Sequence, residues 1–387
     1  MRGFLFVTGL LVTAVVAGAV MLSDGDTRQD VSADVVLMPA IKVDLSDYQR
    51  ADGPYNWDFP ADYGAHPAFQ TEWWYYTGNL ATDAGRRFGY QFTIFRRTIT
   101  PDVPVSESEW RTSQVYAAHF TVTDVEGDQF YQEQRFSRGG AGLAGATGDP
   151  YRVWLESWQV RGMDGDPTQS VLTAANDQVA VDLTLVQSKP LVLQGDEGLG
   201  LKGPGPGEAT YYYSLPHLVT QGTVTVDGET YTVSGMSWMD HEFGSGALGD
   251  ESQGWDWIAM HFDDGRDLMI GQIRSVNEGD APVIYGGSLV LPDGSVRHLR
   301  LDDFTITVTD TWTSPHTGAT YPAGWVISVN SGEEQPLQLR LTPLVADQEL
   351  TEGLVIYWEG AVRVDGDATG YGYAELTGYH GAMQGRF

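Results

Sequence analysis

The chain has 387 residues, 42% of them hydrophobic, enough to bury a core and long enough for two domains. It has no cysteine, which excludes disulfides, thiolate metal sites, a cysteine nucleophile and a lipidated N-terminal cysteine. Net charge is −30 and Lys42, Lys189 and Lys202 are its only lysines, so nucleic acid is excluded as a partner by broad repulsion.

Taken in chain order, Arg2 precedes an apolar run from Phe4 to Val16, then Ala17-Gly18-Ala19 and a polar stretch. A basic, then apolar, then small-residue order is that of an export signal. Residues 1–22 are therefore expected to be a signal peptide or an uncleaved anchor, since roughly 20 apolar residues can span a bilayer. Either reading puts the body outside the cytoplasm, in the periplasm or extracellular space, with membrane association confined to this segment. Residues 23–54 read as a linker.

From Tyr55 onward the chain alternates short apolar-polar runs with Gly, Asp and Pro, as in RRFGYQFTIFRR, VYAAHFTVTDV and TVTVDGETYTVSG. A period of two with β-branched and aromatic residues predicts antiparallel strands, and the DG and EGD pairs predict hairpin turns. No sustained 3.6-residue period is present. Units of this kind form sandwiches or close into barrels that can leave an apolar cavity.

Three segments recur in order. VYAAHFTVTDVEGDQF from Val115 is echoed by VIYGGSLVLPDGSV from Val283, and GTVTVDG from Gly222 by GAVRVDG from Gly360. The stretch headed by Trp73 is echoed by the one headed by Trp255. They predict two copies of one all-β unit, residues 55–244 and 245–387. The copies differ most at SGMSWMDHEFGSG, which carries Asp240, His241 and Glu242; the matching end of the second copy, YAELTGYHG, lacks that cluster.

In a strand, Asp240 shares a face with Trp238 and Glu242 while His241 points away. Neighbouring carboxylates repel, which raises the apparent pKa of one and makes it a proton donor near neutral pH. The alternative is a hydrogen-bonded anchor between the copies. Glu72 shares a face with Trp74 and Tyr76, either as a carboxyl at the edge of an aromatic surface or as the partner of Arg96 or Arg97. The loop GDEGLGLKGPGPGEAT, before Tyr211, Tyr212 and Tyr213, either rims a binding mouth or is a plain surface excursion. Trp255, Trp257 and Trp358 with Tyr357, Glu359, Tyr373 and Glu375 supply a second aromatic interior. The chain has neither a G-x-S-x-G elbow nor H-E-x-x-H, and no phosphate-binding glycine loop, so a serine hydrolase, a zinc protease and a nucleotide cofactor are not expected. No metal and no cofactor are expected.

The segments HPAFQTEWWYYTGNL, SGMSWMDHEFGS, WDWIAMHFDDGRDLM and GYGYAELTGY resemble the AttH-type secreted proteins, which are related to carotenoid 1,2-hydratase; the resemblance runs from about Asn56 to Tyr379. It implies two tandem lipocalin-like antiparallel β-barrels. For the hydratase branch it implies cofactor-free addition of water to an isoprenoid C=C bond, by protonation from an acid and capture of the cation. Asp240 matches the acidic position of that branch's D-H-x-x-G motif, and Trp238 stands where that branch has an aromatic. The Glu242 form is typical of the AttH-type branch, whose reaction the resemblance does not fix.

The expectation is an exported protein that binds an apolar isoprenoid or lipid-like molecule and hydrates it. Asp240 is its acid, and Glu242 or Glu72 orients the water. The candidate binding residues are Trp73, Trp74, Tyr76, His119, Tyr212, Trp238, His241, Trp255, Trp257 and Trp358, with Trp74 as the cation-stabilising ring. The alternative is a non-catalytic lipid carrier, or an accessory protein with a partner in an envelope export system.

Overall fold

The structure is a computed structural model that describes residues 45–101, 106–164, 166–246, 248–277, 279–353 and 355–383. The expected leader at 1–22 and most of the expected linker lie outside the described residues.

Thirteen strands form a first antiparallel sheet. They are β1 Thr71–Ala81, β2 Arg87–Thr98, β3 Gln114–Asp124, β4 Gln129–Arg138, β5 Ala144–Gly148, β6 Tyr151–Leu155 and β7 Trp158–Met163. The sheet continues with β8 Asp166–Ala175, β9 Val179–Gln187, β10 Val192–Leu193, β11 Leu199–Leu201, β12 Ala209–Val226 and β13 Glu229–Gly244. A second sheet has ten. These are β14 Ser252–Phe262, β15 Asp267–Ser275, β16 Ile284–Val290, β17 Val296–Leu299 and β18 Phe304–Thr313, then β19 Thr320–Val329, β20 Leu337–Pro343, β21 Glu349–Leu350, β22 Tyr357–Gly366 and β23 Gly370–Leu376. Among the described residues there is no α-helix, only three short 3₁₀ turns.

The duplication read from the sequence reappears as topology. The first sheet runs β4-β3-β2-β1-β13-β12 and onward to β5, and the second runs β17-β16-β15-β14-β23-β22 and onward to β18. In each, a four-strand meander has its first strand paired by the last hairpin of the copy. Trp73 heads β1 and Trp255 heads β14, so the recurring segments fall on equivalent strands.

The first sheet curls until β6 packs back on β2, β3 and β4, giving a nearly closed barrel around Trp74, Phe92, Phe120, Trp158 and Leu183. The second is a half-barrel with its own core of Ile258, Leu289, Tyr321, Trp325 and Trp358. The tandem of lipocalin-like barrels is thus present, with one copy more open than the other. Alternation explains how both cores form: along β9 the inward residues Val179, Val181, Leu183 and Leu185 are buried while Asp182 between them is exposed.

The barrels meet where β1 and β2 pack on β23 and β22. An aromatic cluster fills the seam, with Tyr75, Tyr212 and Trp238 from one side and Trp257 and Tyr373 from the other. Tyr75 and Trp257 lie edge to face, ring centres 5.1 Å apart, a geometry that adds about 0.5–1.5 kcal/mol to the burial of the rings. Close approach also needs Gly89, because a Cβ there would stand 2.7 Å from the Cβ of Ala361. Polar ties cross the same seam: Asn79 Nδ2 donates to the Gly372 carbonyl at 2.9 Å, and Lys189 Nζ lies 2.7 Å from Asp267 Oδ2.

Candidate functional site

Directly opposite residues in an antiparallel pair share a face, so the β1–β13 register decides which side chains meet. Tyr75 stands opposite Asp240 and Trp73 opposite Glu242, while Trp74 stands opposite His241 and Glu72 opposite Phe243. The first set faces the second barrel; the second set faces the interior of the first.

Between the barrels is a cavity of about 800 Å³ whose walls include Trp73, Tyr75, Asp240 and Glu242 from the first copy and Trp255, Trp257 and Glu375 from the second. Residues 191–197 and 199–202, which include the first part of the loop read as rimming a mouth or as a plain surface excursion, form another wall. Asp240 is 3% exposed and has no cation partner among the described residues; its carboxylate accepts from Ser214 Oγ at 2.5 Å, Trp238 Nε1 at 2.7 Å and Tyr212 Oη at 2.8 Å. Burial pushes its pKa up to about 7, the three donors oppose the rise, and Glu242 adds to it. Glu242 is different, since it accepts from Thr210 Oγ1 at 2.5 Å and pairs with Lys202 Nζ at 2.6 Å. Lys202 also sits over the Tyr212 ring, 5.1 Å from its centre.

Across the cavity, Trp255 Nε1 donates to Glu375 Oε2 at 3.0 Å. Burial raises Glu375 to about 7, and the charges of Glu242 and Asp240 add to the rise. Beside it in the sheet is Glu359, fully buried, with Tyr75 Oη donating to its Oε1. Burial and then the nearby Glu375 keep that carboxyl well above its usual range. The second copy has no counterpart of the Asp240-His241-Glu242 run at this end, yet its Glu375, on β23, sits on the cavity wall.

Several residues assigned to the cavity from the sequence lie elsewhere. Glu72 is fully buried on the opposite face, where Arg96 Nε and His66 Nδ1 each lie 2.6 Å away and His241 Nε2 2.8 Å. Burial would raise its pKa, but Arg96 and His66 outweigh it and hold the carboxyl well below the usual range. This is the pairing with Arg96 that the sequence left open, and it puts Glu72 out of reach of any water beside Asp240. Trp74 stacks on His241 with ring centres 4.7 Å apart inside the first barrel, so its face is not presented to the cavity. Tyr76 bonds to Tyr151 within the same core at 2.5 Å. His241 is occupied by Glu72 and Tyr213, and burial pushes its pKa down to about 4.

His119 stands behind the cavity wall, its Nδ1 2.7 Å from Tyr357 Oη, and burial lowers it to about 3, a neutral imidazole. Trp358 belongs to the second core, against Trp325. Trp238 acts through its indole N–H on Asp240 rather than by lining the space. The sequence reading also passed over Tyr75, Ser214 and Lys202; only the last carried a signal, as one of three lysines and part of the flagged loop.

Among the described residues two groups have metal-ligand composition, His66, Glu72 and His241, and His217, His261 and Asp267. In each the carboxylate already holds a cationic side chain, Arg96 at 2.6 Å and Lys189 at 2.7 Å respectively, which would repel a bound ion.

Residues 50–379 match the AttH-like family model. The chain belongs to the AttH-like family. The crystal structure of an AttH protein from Nitrosomonas europaea is similar to it at 34% identity and TM-score 0.74, covering 84% of this chain and 97% of that one. Kievitone hydratase from Nectria haematococca shares the fold at 15% identity and TM-score 0.63, with 86% and 96% covered. CghA, solved with Sch210972, does so at 12% identity and TM-score 0.50, with 81% and 89% covered. None of the curated protein sequences matches this one. The fold is thus one that a hydratase uses.

Proposed function

We propose that this AttH-like chain is an exported hydratase that takes an apolar isoprenoid or lipid-like alkene between its two barrels and adds water to a C=C bond. The observation that carries the reading is Asp240: a carboxyl with no cation partner among the described residues, held by three donors beside an aromatic cavity and pushed up by burial to about 7. A carboxyl of that kind is protonated in part at neutral pH and so is available as a general acid toward an alkene carbon held beside it. The flat rings of Trp73, Trp255 and Trp257 suit a long, unsaturated body and offer π-faces to the cation that protonation creates. Export rests on the order of residues in the N-terminal segment, and a cofactor is not part of the scheme.

The test is incubation of the protein with acyclic polyenes, reading by mass spectrometry a product heavier by one water. Asp240→Asn is expected to lower turnover by about 100-fold or more while leaving tryptophan quenching by the polyene nearly unchanged. The second reading, a lipid carrier or an export-system accessory without chemistry, rests on the same apolar walls. Quenching without product in the wild type would establish it and overturn the hydratase.

A further inference from the structure

The two barrels present their equivalent strands to one another, and the registers make the equivalence exact to the residue. Trp73 and Trp255 head matching strands, so two positions on, Tyr75 of β1 corresponds to Trp257 of β14. Tyr75 stands opposite Asp240 on β13, and Trp257 stands opposite Glu375 on β23. On the far side of each acid the pattern continues. Ser214 of β12 faces Asp240, and Glu359 of β22 faces Glu375, each with a tyrosine two positions earlier, Tyr212 and Tyr357.

The contacts follow the same near-symmetry. Tyr75 reaches across the seam to Glu359 of the other copy, and Trp257 reaches back, its Nε1 3.3 Å from the Tyr212 hydroxyl that donates to Asp240. Each acid receives one indole N–H, from Trp238 for Asp240 and from Trp255 for Glu375. Duplication has therefore put two related carboxyls on facing walls of one cavity; among the described residues neither is in an ion pair with an arginine or lysine, and the nearest cationic influence is Lys202, which pairs with Glu242 and partly offsets the rise at Glu375.

We propose that Glu375 is the second catalytic group of this cavity, the base that takes the proton of the attacking water while Asp240 acts as the acid. The inference rests on the hydratase reading. Asp240 in its acid form gives its proton to one alkene carbon, the π pair becoming the new C–H bond. A lone pair of water then forms the C–O bond at the cationic carbon, and the surplus water proton passes to the Glu375 carboxylate. The cavity ends with Asp240 ionised and Glu375 protonated, and transfer of that proton back to Asp240 restores the starting state with one water consumed.

Such a cycle needs the two acids to share one proton. Like charges across a poorly solvated space disfavour double ionisation, and each acid is raised to about 7 by burial first. Glu242 adds its charge at both acids while its partner Lys202 opposes the rise at Glu375; the hydroxyls of Tyr212, Tyr75 and Tyr357 are neutral, Glu359 lies beside Glu375, and Asp196, Glu197, Asp256, His298 and Arg300 also line the cavity. Glu359 is a poor base for the task, because the Tyr75 hydroxyl occupies one oxygen and burial, with the nearby Glu375, favours its protonated form.

The experiment combines carboxyl-detected NMR titration with kinetics in wild type, Glu375→Gln, Glu375→Asp and Asp240→Asn. Removing the charge at Glu375 should lower the Asp240 midpoint by about one pH unit. Glu375→Gln should lower kcat by about 100-fold with KM little changed and reduce a bell-shaped pH profile to one limb, and Glu375→Asp should recover part of the rate. An Asp240 midpoint unmoved in Glu375→Gln, or a full rate in that variant, overturns the inference. If the wild type turns over no alkene, the hydratase reading fails and takes the base role with it; an active wild type with an active Glu375→Gln refutes only the base.

Discussion

Asp240→Asn should destabilise the protein in acid, by an amount that shrinks or reverses as pH rises through neutrality. A carboxyl whose pKa rises on folding binds its proton more tightly in the folded state. Between the two values the folded protein holds more protons, so stability falls as pH climbs. For Asp240 the window runs from the ordinary value of 3.8 to about 7. At about 1.4 kcal/mol per pH unit, the ionised form costs on the order of 4 kcal/mol above that window and nothing below it. Local relaxation and water entry trim the figure to about 2–4 kcal/mol. Asparagine cannot ionise and escapes this cost, but its amide faces one of the three donors that the carboxylate accepts, a loss of about 1–3 kcal/mol at every pH. The stability difference between variant and wild type should therefore climb by about 2–4 kcal/mol from pH 4 to pH 8, moving from negative toward positive. Urea unfolding at five or six pH values measures it. A difference that stays flat across that range would mean that Asp240 has the same pKa in the folded and unfolded chain.

Arg96→Met strands Glu72 in the core of the first barrel and should cost about 3–5 kcal/mol in urea unfolding, with no direct effect on a ligand in the cavity. Gly89→Val drives a side chain into Ala361 at the seam; it should cost about 1–3 kcal/mol and weaken polyene binding, read by tryptophan quenching. Lys202→Met leaves Glu242 without its ion-pair partner on the cavity wall, and the added negative field should move the Asp240 midpoint upward in a carboxyl titration.

Parity along a strand was legible before any coordinates. Alternation alone put Asp240 with Glu242 and Trp238, put His241 on the opposite face, and grouped Glu72 with Trp74 and Tyr76. What alternation cannot supply is register, and a slip of one residue exchanges every face. Only the pairing of Tyr75 with Asp240 reveals that the Glu72 face belongs to His241 and the barrel interior, and that Trp73 and Tyr75, rather than Trp74, border the acid. The duplication was readable because Trp73 and Trp255 head matching strands. The match of Glu375 to Asp240 was not, because YAELTGYHG has no neighbouring run of charges and the equivalence is carried by cross-strand partners. Lys202 pairs with Glu242 over forty positions, a contact set by how the glycine-proline loop folds back, and no local pattern encodes it.

Where a ligand lies decides between these readings, and a crystal structure with a saturated or otherwise unreactive analogue of a polyene would show it. The ligand should occupy the space between the barrels, along Trp73, Trp255 and Trp257, with the position of the reacting carbon about 3–3.5 Å from the Asp240 carboxyl. Ligand found inside either barrel, or between them but turned away from Asp240, would contradict the hydratase reading.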